Sequence, residues 1–118
     1  MKNKVRLAVA GAGAFGREHI KAIAQIADIT LVGIADPNRA AAEAAAEGSG
    51  AEVFADPAAL LDGLSPDGLV VATPGVTHVA IAAAALARNV PVLLEKPVAP
   101  SLDEAAALVA AERASTAF

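Results

Sequence analysis

Five apolar runs divide the chain, and a segment with helical character follows each of them. The runs occupy residues 5–10, 29–35, 51–54, 68–72 and 90–94. The second run shows no polar alternation, which is typical of a strand covered on both faces. Strands that alternate with helices through short connections favour right-handed β-α-β units. The pattern therefore predicts an α/β fold with a doubly wound parallel sheet of about five strands.

The first helix is indicated by apolar spacing. Phe15, Ile20, Ile23 and Ala27 recur at helical intervals, so this helix is expected to start after residue 13 and to end near Asp28. Alanine-rich clusters indicate further helices, because alanine is the best helix former. These later helices are predicted over residues 38–47, 57–63, 77–88 and 102–113.

Residues that begin or end helices refine these boundaries. We expect Asp36 to cap the second helix, with Pro37 in its first turn. Gly63 is expected to close the third helix after a single turn. Ser101 and Glu104 have the spacing of a capping box and predict the start of the last helix.

Composition and charge narrow the function classes. The 118 residues suit one domain, and with 56% hydrophobic but only 3% aromatic residues its core must consist of Ala, Val, Leu and Ile. A net charge of -4 without a basic run disfavours nucleic acid and anionic membranes as partners. The chain has no cysteine, which excludes disulfides and thiol catalysis. Its two histidines are isolated in sequence, so no metal site is expected.

The amino terminus bears on the location of the protein. Basic residues 1–4, an apolar stretch at 7–15 and an Ala-x-Ala at 10–12 are features of a signal peptide. Arg6 interrupts that pattern, and the glycines fit a phosphate loop better. No apolar run approaches the roughly 18 residues of a membrane span. We therefore expect a soluble, cytoplasmic domain.

A glycine-rich turn, Gly-Ala-Gly-Ala-Phe-Gly, follows the first apolar run directly. A G-x-G-x-x-G turn between a strand and a helix is typical of dinucleotide binding. Gly11 permits the tight turn, Gly13 lets a pyrophosphate approach the backbone, and Gly16 allows close packing of helix and strand. The unpaired N–H groups at the helix start then favour the phosphates. We predict that Gly11, Gly13, Ala14, Phe15 and Gly16 bind the cofactor, the alternative being an ordinary glycine-rich turn.

Polar residues follow the other strands where those strands end. Asp36 follows the second strand, Thr73 and Pro74 follow the fourth, and Glu95 and Lys96 follow the fifth. Ligands of doubly wound sheets bind at the carboxyl ends of the strands. We therefore expect these loops and the glycine turn to meet at one edge of the sheet.

Asp36 lies 20 residues after Gly16, where an acidic side chain accepts hydrogen bonds from an adenosine ribose. A carboxylate there repels a 2′-phosphate, so the sequence favours NAD while leaving NADP open. The alternative role of Asp36 is a plain helix cap. Arg39 is included among the cofactor residues because a guanidinium can stack on adenine or accommodate a phosphate. Its alternative is a solvated helix residue.

Lys96 is the candidate catalytic residue. A lysine at the end of a buried strand can exchange a proton with a substrate hydroxyl, although a plain Glu-Lys pair on a loop is the simpler reading. His78, at a predicted helix start, is a candidate cofactor contact, with capping or packing as its alternative. His19 lies inside the first helix and is expected to be structural.

Four segments together carry a family resemblance. They are Gly11 to Gly16 followed by His19, Ala-Asp-Pro at 35–37, Ala-Thr-Pro-Gly-Val-Thr-His at 72–78, and Leu-Glu-Lys-Pro-Val-Ala at 94–99. With these segments nearly the whole chain resembles the amino-terminal half of the glucose-fructose oxidoreductase, inositol dehydrogenase and rhizopine-catabolism (Gfo/Idh/MocA) oxidoreductases. The Glu-Lys-Pro segment is the distinguishing one.

The resemblance implies a Rossmann domain of a nicotinamide-dependent oxidoreductase that acts on a sugar, polyol or related hydroxyl compound. It implies that Lys96 contacts the nicotinamide ribose and substrate and assists proton transfer, and that Glu95 lies by the same ribose. Thr73 and Pro74 would flank the cofactor, and the bond before Pro97 is expected to be cis. Family members often carry asparagine where this chain has Gly75, which leaves a side-chain contact there in doubt.

The family's second domain supplies most of the substrate pocket, and the 118 residues have the length of a cofactor domain alone. We therefore expect residues 1–118 to be a dinucleotide-binding domain without its substrate domain and sixth strand, inactive by itself. The exposed edge of the fifth strand is then expected to self-associate. A stand-alone binding or sensing module is the alternative function. A methyltransferase would leave residues 95–97 unexplained.

Overall fold

The computed structural model describes residues 4–118. Its strands are β1 Val5–Ala10, β2 Ile29–Ala35, β3 Glu52–Phe54, β4 Gly68–Val71 and β5 Val92–Leu94. Its helices are α1 Ala14–Ala24, α2 Arg39–Ala46, α3 Pro57–Leu64, α4 His78–Ala87 and α5 Leu102–Arg113, with a 3-10 turn, Gly75–Thr77, before α4. All paired strands run parallel, in the order β3-β2-β1-β4-β5. This order confirms the predicted doubly wound α/β fold.

Strand register aligns the carboxyl ends of the strands. Ala10, the last residue of β1, lies beside Ala35 of β2 and Val71 of β4. In the outer pairs, Ala35 lies beside Phe54 and Val71 beside Leu94. Each strand therefore stops at the same level, and the loops that follow start at one edge of the sheet.

The core forms one layer on each face of the sheet. Ala8 and Ala10 of β1 pack on one face with residues of α3 and α4, including Leu60 and Ala85. Val9, between them in sequence, packs on the other face with residues of α1 and α2. Successive strand residues point to opposite faces, so burial of both faces requires continuous apolar strands. The small alanines let the helices lie close to the sheet.

The boundaries of the first two helices differ from the prediction. α1 ends at Ala24 instead of near Asp28, because the backbone N–H groups of Ile26 and Ile29 bond back in tight turns that lead into β2. α2 is capped by Asn38, whose side chain accepts a hydrogen bond from the Ala41 N–H. The prediction that Asp36 caps this helix was wrong, since the helix begins too late for it, and Pro37 likewise precedes the helix.

The third helix and the last strand also differ. α3 runs for two turns through Gly63 to Leu64, and Ser65 ends it in the left-handed conformation with φ of 45°. The prediction that Gly63 closes this helix after one turn was wrong. β5 starts at Val92 instead of residue 90, because the Val90 N–H still bonds to the Ala85 carbonyl in the turn after α4.

One edge of the described sheet is β5. The Val92 N–H donates to the Phe118 carbonyl, 2.8 Å away, so the end of the chain lies against part of this edge. Leu93 in the same strand is 59% exposed. Among residues 4–118, none of the helices has the length and hydropathy needed to cross a bilayer.

Candidate functional site

The loops after β1, β2, β4 and β5 meet at one edge of the sheet, as predicted. Backbone hydrogen bonds extend the strand ladder into them: Gly11 N–H donates to Ala35 O, Ala72 N–H to Ala10 O, and Glu95 N–H to Val71 O. The loops therefore leave the sheet in register. We call residues 11–16 the glycine loop, residues 72–75 the Thr73 loop and residues 95–97 the Lys96 loop.

Each glycine of the glycine loop has a different environment. Gly11 has φ of +106°, and a Cβ there would lie 2.5 Å from the Ala72 carbonyl oxygen. A Cβ on Gly16 would lie 1.9 Å from the Gly11 carbonyl oxygen, so only glycine lets α1 start this close to the loop. A Cβ on Gly13 meets no atom of the described residues within 4 Å. The fold thus requires Gly11 and Gly16, whereas the space above Gly13 is open.

The amino terminus of α1 points out of this loop. Gly13 is the N-cap and provides no side-chain hydrogen bond to the first turn. The first N–H groups of a helix have no partner within the helix and carry the positive end of its dipole. Phe15, in that first turn, is 69% exposed. An anion therefore finds backbone donors and open space together at this position.

Asp36 is held by backbone donors on both sides. Its Oδ2 accepts from the Ala12 N–H of the glycine loop, and its Oδ1 accepts from the Asn38 N–H, each at 2.8 Å. The carboxylate thereby joins the end of β2 to the glycine loop. A carboxylate oxygen can accept more than one hydrogen bond, so both oxygens of Asp36 can still accept from a ligand.

Arg39 lies in the first turn of α2 but pairs along its own helix. Its Nε lies 2.8 Å from Glu43 Oε1, and both side chains are mostly exposed. An exposed pair of this spacing contributes only about 0.3–0.5 kcal/mol, so Arg39 is easily released to a ligand.

The Thr73 loop is closed by side chains from the turn before α4 and from α4 itself. Thr77 Oγ1 lies 2.7 Å from Thr73 Oγ1 and 2.6 Å from the Pro74 carbonyl oxygen. His78, the first residue of α4, is only 1% exposed, and its ring lies between the Thr73 and Pro97 carbonyls. Its side chain therefore lies beneath the two loops instead of in an open cavity.

Glu95 contacts a residue that the sequence analysis left outside the site. His19 Nε2 of α1 lies 2.6 Å from Glu95 Oε2, although the two residues are 76 positions apart. This hydrogen bond from His19 is the main reason that the pKa of Glu95 is lowered; the Lys96 N–H, 3.3 Å from Oε1, and the positive charge of Lys96 act in the same direction. One sequence signal existed: His19 lies one helical turn after Gly16, on the same face of α1.

Lys96 borders a small cavity between the loops. The cavity has a volume of about 70 Å³ and is lined by Phe15, Ala72, Thr73, Glu95 and Lys96. The structure thus brings side chains of three predicted loops around one space. The bond from Lys96 to Pro97 is cis, as the resemblance implies. An apolar groove between α4, β5 and α5 is larger, about 240 Å³, but Glu112 is the one ionisable residue in its lining.

The side chains that could bind a metal ion are not grouped in the part of the chain that the structure describes. Within residues 4–118, no group of three or more His, Asp or Glu side chains has the geometry to hold an ion. His19 contacts the Glu95 carboxylate, and His78 contacts the Thr73 and Pro97 carbonyl oxygens.

Comparison with known proteins identifies relatives for nearly the whole chain. Residues 5–117 match the family model of the Gfo/Idh/MocA proteins, an oxidoreductase family with an NAD-binding Rossmann fold. The chain is 38% identical over 118 residues to inositol 2-dehydrogenase 4 of Saccharopolyspora erythraea, covering 98% of this chain and 35% of that relative.

Solved structures agree in fold. The WlbA dehydrogenase from Bordetella pertussis, in complex with NADH and UDP-GlcNAcA, superposes with a TM-score of 0.93 at 31% identity, covering 99% of this chain and 34% of that one. The myo-inositol dehydrogenase from Lactobacillus casei, in complex with NAD(H) and myo-inositol, gives a TM-score of 0.90 at 31% identity, with coverages of 96% and 34%. The chain spans about a third of the length of the relatives it matches.

Proposed function

The chain belongs to the Gfo/Idh/MocA oxidoreductase family, and on this premise we propose that its four converging loops bind NAD along the carboxyl edge of the sheet. The proposed binding residues follow the sequence prediction. They are Gly11, Gly13, Ala14, Phe15, Gly16, Asp36, Arg39, Thr73, Pro74, Glu95 and Lys96, with His78 acting from beneath the loops. Residues 1–118 are accordingly proposed to form the dinucleotide-binding domain of a longer oxidoreductase.

The open space above Gly13 is the observation that carries this proposal. Gly11 and Gly16 are needed to build the loop, but no atom of residues 4–118 lies within 4 Å of the place of a Cβ on Gly13. A glycine that the fold does not require is explained by a ligand that approaches the backbone. A pyrophosphate suits this position, because the uncapped amino terminus of α1 offers N–H donors and a favourable dipole.

The adenosine half is proposed to lie at Asp36. Its carboxylate is fixed by two backbone N–H groups and keeps acceptor capacity for ribose hydroxyls. A 2′-phosphate would lie close to this negative charge, so NAD is favoured over NADP. Arg39, held loosely by Glu43, stacks on the adenine in this proposal.

The nicotinamide half is proposed to lie between the Thr73 and Lys96 loops. Bound NAD would supply the hydride acceptor, and Lys96, as the neutral amine, would take the proton of the substrate hydroxyl and become the ammonium. The Glu95 carboxylate contacts the His19 ring and accepts a weak hydrogen bond from the Lys96 N–H. These two contacts help to fix the start of the Lys96 loop. Lys96 is therefore both the cationic and the proton-transferring group of this half.

The substrate class proposed is a sugar, polyol or related hydroxyl compound. The family relatives support this class, since their names include an inositol 2-dehydrogenase and a myo-inositol dehydrogenase bound to myo-inositol. Because the chain spans about a third of those relatives, the substrate pocket is proposed to be completed by residues outside it. The binding of cofactor, in contrast, is proposed for the chain itself.

Two further expectations belong to this proposal. We propose that the chain self-associates along β5, where Leu93 is 59% exposed, with the incoming strand pairing where the Phe118 carbonyl does not already occupy the edge at the Val92 N–H. A strand edge with unpaired backbone groups pairs readily with another strand. We also propose a cytoplasmic location, which fractionation of the producing cell tests directly.

Calorimetric titration tests the central proposal. NAD and NADP are titrated separately into the wild-type chain and into the Asp36→Asn variant. We expect the wild type to bind NAD more tightly than NADP and the variant to lose this preference. Failure of the folded wild type to bind either dinucleotide would contradict the proposed function.

A further inference from the structure

The His78 side chain joins the two loops at the nicotinamide end of the site. Its Nδ1 lies 2.6 Å from the Pro97 carbonyl oxygen, and its Nε2 lies 2.8 Å from the Thr73 carbonyl oxygen. Pro97 and Thr73 follow different strands, β5 and β4. His78 is 1% exposed, and among residues 4–118 it is the only polar or charged residue that is buried.

Both atoms that the ring contacts are carbonyl oxygens. Carbonyl oxygens only accept hydrogen bonds, and a neutral imidazole has a single N–H to donate. The ring therefore donates to one loop through its N–H and packs against the carbonyl of the other loop, so that a single buried side chain contacts both loops.

Resting on the cofactor site proposed above, we propose that His78 is a positioning residue whose buried ring contacts a carbonyl of each loop and thereby holds the Thr73 and Lys96 loops together around the nicotinamide. His78 reaches the cofactor only through these loops. The Pro97 carbonyl that it holds belongs to the residue directly after Lys96, so the link fixes the backbone that carries the lysine.

The position of this link predicts which half of the cofactor depends on it. The glycine loop and Asp36, proposed to bind the pyrophosphate and adenosine, have no hydrogen bond to the His78 ring in the described structure. Loss of the link frees the two nicotinamide loops, and ordering them again on binding weakens affinity. NAD should therefore respond to a His78 substitution, whereas ADP should not.

The experiment compares NAD and ADP binding by calorimetry in the wild-type chain and in His78→Gln. A glutamine amide carries its donors on one nitrogen and does not span two carbonyls on opposite sides. We expect about tenfold weaker NAD binding with unchanged ADP binding. The control is Leu60→Val, which shortens a fully buried core side chain on α3 that belongs to neither loop, and which should leave both affinities unchanged.

The outcomes separate this inference from the proposed function. Equal weakening of NAD and ADP in His78→Gln, or no weakening of NAD, overturns the positioning role. Absence of NAD and ADP binding in the wild type instead contradicts the cofactor site itself. If His78→Gln does not fold, the same titrations on His78→Asn decide: weaker NAD binding with unchanged ADP binding supports the link between the loops, and equal changes or no change overturn it.

Discussion

His19 Nε2 lies 2.6 Å from Glu95 Oε2, and this contact connects the helix after the glycine loop to the loop that carries Lys96. His78 contacts the Pro97 carbonyl oxygen. The residues on the two sides of Lys96, Glu95 and Pro97, are therefore each contacted by a histidine. The two contacts come from α1 and α4, which lie on opposite faces of the sheet. The lysine backbone is thus anchored from both layers of the fold.

The His19–Glu95 contact predicts a specific acid dependence of stability. His19 holds the pKa of Glu95 below the ordinary glutamate value of 4.5. A lowered folded-state pKa stabilises the fold fully above the unfolded-state pKa, and that stabilisation is lost as the pH falls through the folded-state pKa. We expect the melting temperature of the wild type to fall more steeply below about pH 4.5 than that of Glu95→Gln.

The control for this measurement is Glu18→Gln. Glu18 is exposed on α1 and pairs only loosely with Lys21, at 3.5 Å, so its removal should leave the acid limb of the melting curve unchanged. Parallel acid profiles for the wild type and Glu95→Gln would show that the contact with His19 contributes nothing to stability.

Substitutions at two glycines of the glycine loop should have different effects on stability and on NAD binding. Gly16→Ala places a Cβ 1.9 Å from the Gly11 carbonyl oxygen, and we expect a loss of about 1–3 kcal/mol or more in the free energy of unfolding. Gly13→Ala meets no atom, so its unfolding free energy should change by less than about 1 kcal/mol. NAD binding by Gly13→Ala should nevertheless weaken at least about tenfold, because the methyl group occupies the approach of the pyrophosphate.

Urea denaturation and calorimetry measure the two effects on the same samples. Gly13→Ala and Gly16→Ala are each other's control, since they add the same methyl group three residues apart. Full NAD affinity in Gly13→Ala would place the pyrophosphate elsewhere.

Asp36 should determine the preference for NAD over NADP. Asp36→Asn removes the charge that repels a 2′-phosphate, and it also weakens the contact with the Ala12 N–H. We expect weaker NAD binding and a change of at least about tenfold in the ratio of NAD to NADP affinity. Asp67→Asn is the matched control, because Asp67 also accepts a backbone N–H, that of Arg6, but before β4 and away from the site. An unchanged ratio in Asp36→Asn would remove Asp36 from the ribose site.

Lys96 should affect the two redox states of the cofactor differently. A lysine ammonium beside the nicotinamide disfavours the positively charged ring of NAD⁺ relative to the neutral ring of NADH. We expect Lys96→Met to shift the affinity ratio toward NAD⁺ by about threefold or more. Fluorescence titration of NADH and calorimetry of NAD⁺ measure the ratio, with the exposed Lys21→Met as control. Equal changes for both redox states would mean that the ammonium does not face the nicotinamide.

The β5 edge should control self-association. Leu93→Lys adds a charge to a strand residue that is 59% exposed, and charged residues protect strand edges from pairing. We expect sedimentation velocity to show association of the wild type at high concentration and a monomer for Leu93→Lys. Leu102→Lys adds the same charge to a residue that is 89% exposed at the start of α5 and should still associate. A wild type that stays monomeric throughout would contradict the proposed edge pairing.

Much of the fold could be predicted because its signals are local. A strand buried on both faces must be apolar throughout, and β1 and β2 have the predicted bounds. The structural roles of Gly11 and Gly16 could likewise be predicted, because a tight turn between a strand and a helix leaves no room for a Cβ at these positions. Parallel register then brings the loops to one edge of the sheet without knowledge of any side-chain contact.

The contacts within the site could not be predicted in this way. Glu95 meets His19 across 76 residues, and the His78 ring finds a carbonyl 19 residues away, because two helix layers pack on one sheet. Asp36 reads as a helix cap locally, yet the glycine loop beside it in space engages its carboxylate. A few consecutive residues are enough to indicate a buried strand or a tight turn. The partner of a polar side chain instead depends on which helix packs over which loop, and only the tertiary structure decides that.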